Sequence, residues 1–463
     1  MELTVHEIVK ATGGVLKLGI GDGFVKGIST DSRKACCGEV FFALKGQNFD
    51  GHRFIKEVAG KGAIAAVVET AEEGGLPSSF NLIVVDDTLK ALGRLAAYVR
   101  GKYRIPVIAV TGSAGKTTTK EMIASILSRS KNILKTEGNK NNLIGLPLTL
   151  FGLHDEHEAA VLELGISEFW EMERLVDICK PDIVVITNIG RGHLQTLGSL
   201  EGVAKAKGPL FTLLKEGGVK VVNLDDPWVV KIAEGKGNII TYSLKEEADV
   251  RVTEYRAEDG FGGVTATYNV MGSSVRVRFR VPGITNVVNG AAAIATLLPL
   301  GVSLEDIEEG LNAYAPVRGR MEVVKAGGFT ILDDTYNANP ESMSSALKTL
   351  SKAAGRKVAV VGDMLELGEA SKQEHRNVGA LAAELGIDVI VAIGNLSDEI
   401  VEGVRAAGKD ALGFKDKQEA IKAVKEIIKT GDTVLVKASR GVALEQVVEA
   451  LKGMEPKKPC NQV

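Results

Sequence analysis

Lys116 and Thr117 follow a glycine-rich turn in the stretch VIAVTGSAGKTTTKEMIASIL, residues 107–127. An apolar strand pattern precedes the turn and a helix pattern follows it, which is the arrangement of a phosphate-binding loop. Glycines let backbone N–H groups approach anionic oxygens, and the helix end adds a positive dipole. The lysine would neutralise phosphate charge and the threonine hydroxyl would bind Mg²⁺. The loop is shortened, because the standard pattern has its first glycine where this chain has Val110.

Acidic and basic side chains follow the next two apolar runs. Glu163 ends the run AAVLELGI, and His193 lies just past PDIVVITNI. Because ligands bind beyond the carboxyl ends of parallel strands, both side chains are predicted beside the phosphate loop. A carboxylate there suits a hard cation such as Mg²⁺, while a solvated strand-end acid is the alternative. Lys205 and Lys207 follow on a helix pattern, and their spacing alone is typical of a solvated helix face.

The elements that must position these residues fall into three blocks. Residues 1–105 combine short strand-like runs with an amphipathic helix pattern. Residues 106–316 alternate near-continuous apolar strands with helices, which is typical of a parallel sheet covered on both faces. Residues 317–463 begin a second alternation, and APVRGR at 315–320 is the predicted hinge. The predicted fold is α/β with three domains, a central doubly wound P-loop domain flanked by an N-terminal α/β domain and a C-terminal Rossmann-like domain.

Bulk composition narrows the class of protein. The chain has 463 residues, 45% hydrophobic and 25% charged, as in ordinary globular proteins. A net charge of -3 gives no general attraction to nucleic acid or to anionic membranes. The cysteines Cys36, Cys37, Cys179 and Cys460 form no metal-binding spacing, which favours a reducing cytoplasm. We see no signal peptide and no apolar run long enough to span a bilayer, so we expect a cytoplasmic protein.

A set of motifs resembles one known family. The segments TGSAGKTTTKE, EGNKNNLIGLP, ELGISE, TNIGRGHLQTLGSLEGVAKAKGPLF, RGRME, DDTYNANPESMSSAL and GDMLELGE resemble the Mur ligases of peptidoglycan synthesis. The resemblance covers almost the whole chain, and the shortened loop TG-x-x-GK-T is the family's own pattern. With STDSR and FDGH near the N-terminus, the motifs are most similar to the MurF branch.

The resemblance implies roles for individual residues. It implies ATP contacts for Thr111, Gly112, Ser113, Ala114, Gly115, Lys116, Thr117, Thr118, Asn286, Asn289, Arg320 and Asp334. It implies catalytic roles for Lys116, Glu163, His193 and Lys207, and metal ligation by Thr117, Glu163, His193 and a CO₂-carbamylated Lys207. It implies substrate contacts for Ser29, Thr30, Asp31, Ser32, Arg33, Asp50, Gly51, His52, Asn139, Asn141, Asn142, Asn337 and Asn339. Asn337 and Asn339 could instead simply cap a helix, and Thr285 stands where the family usually has histidine.

The resemblance also implies an activity. It implies an ATP-dependent ligase, with two Mg²⁺ ions, that joins D-alanyl-D-alanine to UDP-N-acetylmuramoyl-tripeptide through an acyl phosphate. The three domains would then bind the UDP-sugar-peptide, ATP and the incoming dipeptide in that order, and we expect a monomer. Alternatives are an amino-acid-adding Mur ligase, a folylpolyglutamate synthase-like enzyme or, in a different class, a P-loop NTPase switch. The third residue of the tripeptide, meso-diaminopimelate or lysine, stays open.

Overall fold

The computed structural model describes residues 3–46, 49–71, 74–235 and 237–454, and three α/β units follow one another along them. Each unit is built on its own sheet, with helices packed against it. Buried side chains form separate clusters on the faces of each sheet, so each unit has its own core. The predicted α/β class with a central, largely parallel sheet is confirmed. The exact domain limits, 105/106 and 316/317, stay predictions.

The N-terminal domain contains a five-stranded sheet in the described residues. In spatial order its strands are Val15–Leu18, Asn81–Val84, Ala65–Val68, Glu39–Phe42 and Gly27–Ser29. The first pair is antiparallel and the other pairs are parallel. A short pair, Leu3–Thr4 with Phe24–Val25, lies apart from it. The helices are Val5–Thr12, Ile55–Gly60 and Thr88–Gly101, with a 3₁₀ turn at Gly51–Phe54.

The middle domain carries nine strands in one sheet of the described chain. In spatial order they are Ile133–Lys135, Ala159–Glu163, Val107–Thr111, Ile183–Ile186, Val219–Asn223, Asn238–Ser243, Val250–Ala257, Val264–Val270 and Ser273–Phe279. Neighbours are parallel as far as Val250–Ala257, and the last two pairings are antiparallel. Val275, Val277 and Phe279 are buried between exposed residues, as the alternating pattern predicts.

Helices cover both faces of this sheet. Their bounds are Lys116–Leu127, Gly145–Leu150, Glu171–Cys179, Leu194–Leu197, Leu200–Lys207, Pro209–Thr212, Pro227–Ala233, Ile284–Leu297 and Leu304–Ala313, with 3₁₀ turns at Asp259–Phe261 and Leu298–Leu300. The sequence has a helix pattern over residues 200–214. The chain forms two helices there, because Pro209 has no backbone N–H to continue the first.

The C-terminal domain has six strands in the described residues. In spatial order they are Glu322–Ala326, Phe329–Asp333, Thr433–Lys437, Lys357–Gly362, Val389–Ile393 and Leu412–Phe414. The first pair is antiparallel and the rest are parallel. The helices are Pro340–Leu350, Ser371–Glu384, Ser397–Ala406, Lys417–Ile427 and Glu445–Lys452, with 3₁₀ turns at Gly368–Ala370 and Arg440–Val442.

The C-terminal domain packs directly on the middle domain. Leu194 and Phe261 of the middle domain contact the apolar core on one face of the C-terminal sheet. Lys325 adds a hydrogen bond to the carbonyl of Gly260 at 3.3 Å. Arg320 and Asn339 of the C-terminal domain bond to Thr117 and Ser113 of the middle domain, so polar residues from both domains can share one site.

Candidate active site

The phosphate loop forms because a buried strand runs straight into a helix through two glycines. Val107–Thr111 is buried throughout, and Val110 lies in the core, where a loop glycine is not needed. Gly112 has φ 149°, and a Cβ there would lie 1.9 Å from the Thr187 hydroxyl. Gly115 has φ 83°, and its Cβ would lie 2.5 Å from the Asn289 side-chain oxygen. The shortened loop therefore keeps glycine at the two places where the backbone requires it.

Lys116 opens the helix that follows, and its side chain folds back over the loop. Its Nζ donates a hydrogen bond to the Gly112 carbonyl at 2.8 Å. Desolvation lowers the pKa of Lys116, the Glu163 carboxylate raises it and the Arg320 cation lowers it again. The lysine is thus held at the loop among charges from two other elements, where it can face a phosphate.

Glu163 lies beside the loop, at the end of the neighbouring strand. The Thr117 hydroxyl donates to Glu163 Oε2 at 2.7 Å, and Asn141 Nδ2 donates to Oε1 at 2.8 Å. The same hydroxyl accepts from Arg320 Nη2 at 2.7 Å, across the domain boundary. Glu163 is only 2% exposed, so the solvated-acid alternative is wrong for it.

Arg320 brings a second cation to the loop from the C-terminal side. Its Nε is buried and has no hydrogen-bond partner among the described residues. Its guanidinium carbon lies 4.0 Å from the ring centroid of Tyr336, and Arg440 approaches the same ring at 5.4 Å. A buried donor without a protein partner is costly, and a phosphate oxygen would satisfy it.

His193 and Lys207 have different environments. His193 Nδ1 lies 2.6 Å from Glu366 Oε2 of the C-terminal domain, and hydrogen bonding from His193 is the main cause that lowers the pKa of Glu366. Lys207 is 2% exposed, whereas Lys205 is exposed. The solvated-face interpretation is therefore wrong for Lys207 and right for Lys205. Burial, followed by the Lys116 cation, lowers the pKa of Lys207 well below its usual range.

A cavity of about 680 Å³ lies where the middle and C-terminal domains meet, and Lys116, Glu163, His193 and Arg320 line it. The predicted site residues that line it come from both domains: Ser113, Ala114, Gly115, Lys116, Thr117, Thr118, Asn139, Asn141, Asn142, Glu163, His193, Asn286, Asn289, Arg320, Asp334, Asn337 and Asn339. Of the predicted residues in the middle and C-terminal domains, Thr111, Gly112 and Lys207 lie outside this lining. Within the described chain, no group of three His, Cys, Asp or Glu side chains is arranged to hold a metal.

The predicted residues on the helix Ile284–Leu297 face the same cavity. Asn286 donates to the Pro282 carbonyl at 2.8 Å, and Asn289 lies against Gly115. Thr285, the departure from the family pattern, also lines the cavity.

Asn337 and Asn339, the two asparagines of the NANP segment, make different hydrogen bonds. Asn339 caps the helix Pro340–Leu350, because its Oδ1 accepts from the Ser342 N–H at 2.9 Å. Its Nδ2 also donates to the Ser113 carbonyl at 3.3 Å, so it links the two domains as well. Asn337 accepts from Lys437 Nζ through its carbonyl at 2.8 Å. The capping alternative thus holds for Asn339, which nevertheless stays at the cavity.

The predicted substrate residues of the N-terminal domain lie outside the cavity lining and bond mainly among themselves. Arg33 pairs with Asp31 at 2.8 Å, and His52 Nδ1 lies 2.7 Å from Asp50 Oδ1. His52 Nε2 accepts from the Glu69 N–H at 2.9 Å. Two polar turns are thereby ordered on this domain. The other members, Ser29, Thr30, Ser32 and Gly51, lie in or next to these turns.

The sequence pattern missed several residues of the cavity. Lys437 is 2% exposed and contacts Asp334 Oδ2 at 2.6 Å. Tyr336 and Arg440 line the same cavity. Lys437 ends the apolar run DTVLVKA, so its place at a strand's carboxyl end was a usable signal. Asn188, whose Oδ1 accepts from the Ala114 N–H at 2.9 Å, is also missed.

Replacing Lys437 by methionine is expected to destabilise the protein by about 3 kcal/mol, because Asp334 loses its buried partner. It should also weaken ADP binding, since Lys437 orders both Asp334 and the Asn337 backbone. Urea unfolding and calorimetric titration measure these effects. Lys415→Met is the matched control, because Lys415 makes a 2.7 Å pair with Asp398 at the surface. Equal stability of the two variants would contradict the argument.

Comparisons with protein-family models agree with the three-domain fold. Three models match in chain order: the Mur ligase family catalytic domain over residues 24–100, the Mur ligase middle domain over 110–297 and the Mur ligase glutamate ligase domain over 319–440. The chain belongs to the Mur ligase family.

Individual relatives indicate which branch of the Mur ligase family is most similar to this chain. The chain is 37% identical over 434 residues to a UDP-N-acetylmuramoyl-tripeptide–D-alanyl-D-alanine ligase of Bacillus subtilis, covering 92% of this chain and 93% of that protein. The ligase of the same name from Escherichia coli is 38% identical over 431 residues, covering 92% and 93%. The expected resemblance to the MurF branch is confirmed.

Solved structures of MurF proteins have the same fold as this chain. A crystal structure of MurF from Acinetobacter baumannii aligns with TM-score 0.92 at 37% identity, covering 98% of this chain and 99% of that one. MurF from Thermotoga maritima in complex with ADP aligns with TM-score 0.84 at 31% identity, covering 92% and 97%. A folylpolyglutamate synthase of Mycobacterium tuberculosis, at 15% identity, shares the fold.

Among the described residues, no helix is long and apolar enough to cross a bilayer.

Proposed function

We propose that this chain is the ATP-dependent ligase that joins D-alanyl-D-alanine to UDP-N-acetylmuramoyl-tripeptide in peptidoglycan precursor synthesis. The observation that carries the proposal is the cavity shared by the phosphate loop and the C-terminal domain. It occurs in a chain that matches MurF structures along nearly its whole length. The amino-acid-adding Mur ligase and the folylpolyglutamate synthase alternatives share the fold at 23% and 15% identity only.

The reaction needs ATP because the carboxylate must be activated before an amine can attack it. A carboxylate is a poor electrophile, so its direct condensation with an amine is unfavourable in water. The terminal carboxylate of the tripeptide attacks the γ-phosphorus of ATP, ADP leaves, and an acyl phosphate forms. The amine of D-alanyl-D-alanine then attacks the acyl carbon, and phosphate leaves with the former carboxylate oxygen. The protein's task is to position the three substrates and to balance charge.

Different side chains of the site would stabilise charge and bind the substrates. Lys116 and Arg320 offset the negative charge of the transferring phosphoryl group, as such transfers require. The loop residues 111–118 cradle the phosphates, while Asn286, Asn289 and Asp334 bind the nucleoside. Asn139, Asn141, Asn142, Asn337 and Asn339 also line the cavity. The first three would contact the substrate carboxylate region, and Asn337 and Asn339 would contact the incoming dipeptide. Because the cavity has walls from two domains, closing it would exclude water from the acyl phosphate.

The donor set fits Mg²⁺. Thr117 and Glu163 offer oxygens 2.7 Å apart beside the phosphate loop, and hard cations prefer oxygen ligands. His193 would complete a second metal position with Lys207. When bound, Mg²⁺ would supply charge neutralisation on the phosphate oxygens.

Lys207 is suited to carbamylation. It is an amine whose lowered pKa favours the neutral, nucleophilic form, and it has no anionic partner among the described residues. The amine nitrogen would attack CO₂ and lose a proton to water, which leaves an anionic carbamate. That anion would offset the nearby Lys116 cation and offer oxygens to a metal.

The N-terminal domain would bind the UDP-linked substrate through the turns of Ser29–Arg33 and Asp50–His52. This leaves the middle domain for ATP and the C-terminal domain for the dipeptide. We place the enzyme in the cytoplasm, since its substrates include ATP and its described cysteines Cys36, Cys37 and Cys179 are free. We also propose that it acts as a monomer.

A phosphate-release assay tests the proposal. ATP hydrolysis is measured with UDP-N-acetylmuramoyl-tripeptide, with D-alanyl-D-alanine, with both and with neither. Sustained release is expected only with both, and mass spectrometry should find the UDP-pentapeptide in equal amount. Hydrolysis at full rate without the dipeptide would support the NTPase switch alternative instead. Carrying the meso-diaminopimelate and lysine forms of the tripeptide in parallel identifies the third residue.

A further inference from the structure

The loop that follows Gly362 crosses from the C-terminal domain to the middle domain at His193. Glu366 Oε2 lies 2.6 Å from His193 Nδ1. Two residues along, the Gln195 N–H donates to the Glu366 carbonyl at 3.0 Å. Leu194, between them, packs into the C-terminal core. Glu366 therefore meets the His193 turn through side chain and backbone together.

This loop is fixed on its own domain before it reaches His193. The Met364 N–H donates to Nε2 of the fully buried His375, whose Nδ1 lies 2.6 Å from the Ser371 carbonyl. The Leu365 N–H donates to the Ser439 hydroxyl at 2.9 Å. Buried hydrogen bonds of this kind hold a backbone in one arrangement. The direction of the Glu366 side chain is thus set by the C-terminal domain.

Both partners adopt a backbone conformation that their residue types rarely take. Glu366 has φ 64° and His193 has φ 57°. Left-handed conformations cost free energy for residues other than glycine, and they persist where the surroundings require them. The side chain of His193 is 33% exposed and that of Glu366 is 59% exposed. An ion pair this exposed adds little to the stability of the fold. Stability alone therefore gives no reason for this arrangement.

The geometry of the pair decides which imidazole nitrogen stays free. When Nδ1–H donates to the carboxylate, Nε2 carries the lone pair. Histidines that bind metals ordinarily donate their other N–H to a carboxylate or carbonyl, which fixes the tautomer and the ring orientation. His193 lines the cavity.

We propose that Glu366 is a positioning residue for His193. Its carboxylate fixes the His193 tautomer from across the domain boundary, so His193 presents a metal-binding nitrogen to the cavity only when the two domains are together. This inference rests on the proposed function, since that function assigns His193 to a metal. The GDMLELGE segment would then have a definite task, which is to complete a metal site of the neighbouring domain.

The test uses the full-length protein with ADP and Mn²⁺, whose free form gives an electron paramagnetic resonance signal. Glu366→Gln should weaken Mn²⁺ binding about tenfold or more, the usual effect of losing such a carboxylate. Glu369→Gln is the matched control, because Glu369 is exposed and lies three residues further along the same segment, in the 3₁₀ turn Gly368–Ala370. Equal thermal unfolding of the two variants shows that both are folded.

Nitrogen-15 NMR of the histidine side chains gives a second reading without metal. The wild-type protein should show His193 with its proton on Nδ1, and Glu366→Leu, which leaves no acceptor for that proton, should lose that signature. Unchanged Mn²⁺ affinity, or a histidine spectrum identical to that of the wild type, would overturn the positioning role. Neither the Mn²⁺ titration nor the NMR measurement uses the peptide substrates. The phosphate-release assay therefore tests the proposed reaction independently of the role of Glu366.

Discussion

Lys116→Ala is expected to lose ligase turnover by on the order of 10³-fold while the protein keeps its affinity for the UDP-linked substrate. Phosphoryl transfer spreads negative charge over the oxygens around phosphorus, and Lys116 is the cation that the phosphate loop provides. Its Nζ contacts the Gly112 carbonyl at 2.8 Å, so the variant gives up little internal structure. Steady-state phosphate release and calorimetric titration with UDP-N-acetylmuramoyl-tripeptide measure the two quantities.

Lys131→Ala is the control for this variant. Lys131 lies just past the far end of the same helix and pairs at 3.6 Å with Glu158 at the surface. It should turn over as the wild type does. Parallel loss of turnover and of UDP-substrate affinity in Lys116→Ala would mean misfolding, and near-normal turnover would remove Lys116 from the chemistry.

Lys207→Ala is expected to lower turnover by a similar factor, which corresponds to about 4 kcal/mol of lost charge stabilisation. The variant removes the anion that a carbamate would contribute next to Lys116. It should not unfold the protein, because an amine with no anionic partner among the described residues gives little stability where it is buried. Phosphate release with and without added acetate or formate is the measurement, and these small carboxylates should restore part of the activity.

The chain offers a matched control for Lys207 two residues away. Lys205 lies on the same helix, is exposed and stands 6.0 Å from the ring of Phe169. Lys205→Ala should behave as the wild type and should not respond to acetate. Full activity of Lys207→Ala would exclude the carbamate, and equal impairment of the two variants would point to the helix rather than to the amine.

Local patterns were enough to predict much of the middle domain. The phosphate loop is predictable because strand, glycines, lysine and helix are contiguous in sequence. Glu163 is predictable as its neighbour because parallel strands end at the same edge of the sheet. The same rule could have found Lys437, which ends the strand Thr433–Lys437.

Tertiary contacts between distant segments could not be predicted from spacing. Lys205 and Lys207 have the same residue type on the same helix, and only the packing of that helix buries one and exposes the other. The contact of Arg320 with Thr117 spans 203 positions, and the pair of His193 with Glu366 joins two domains. The resemblance to Mur ligases pointed to Lys207 and Arg320, whereas Glu366 emerged from the coordinates alone.

One isotope measurement tests the central claim that a peptide carboxylate is activated as an acyl phosphate. UDP-N-acetylmuramoyl-tripeptide carrying ¹⁸O in both oxygens of its terminal carboxyl group is turned over with ATP and D-alanyl-D-alanine. The account predicts that each inorganic phosphate released carries one ¹⁸O, with the other retained in the new amide. Amide formation accompanied by unlabelled phosphate would contradict it.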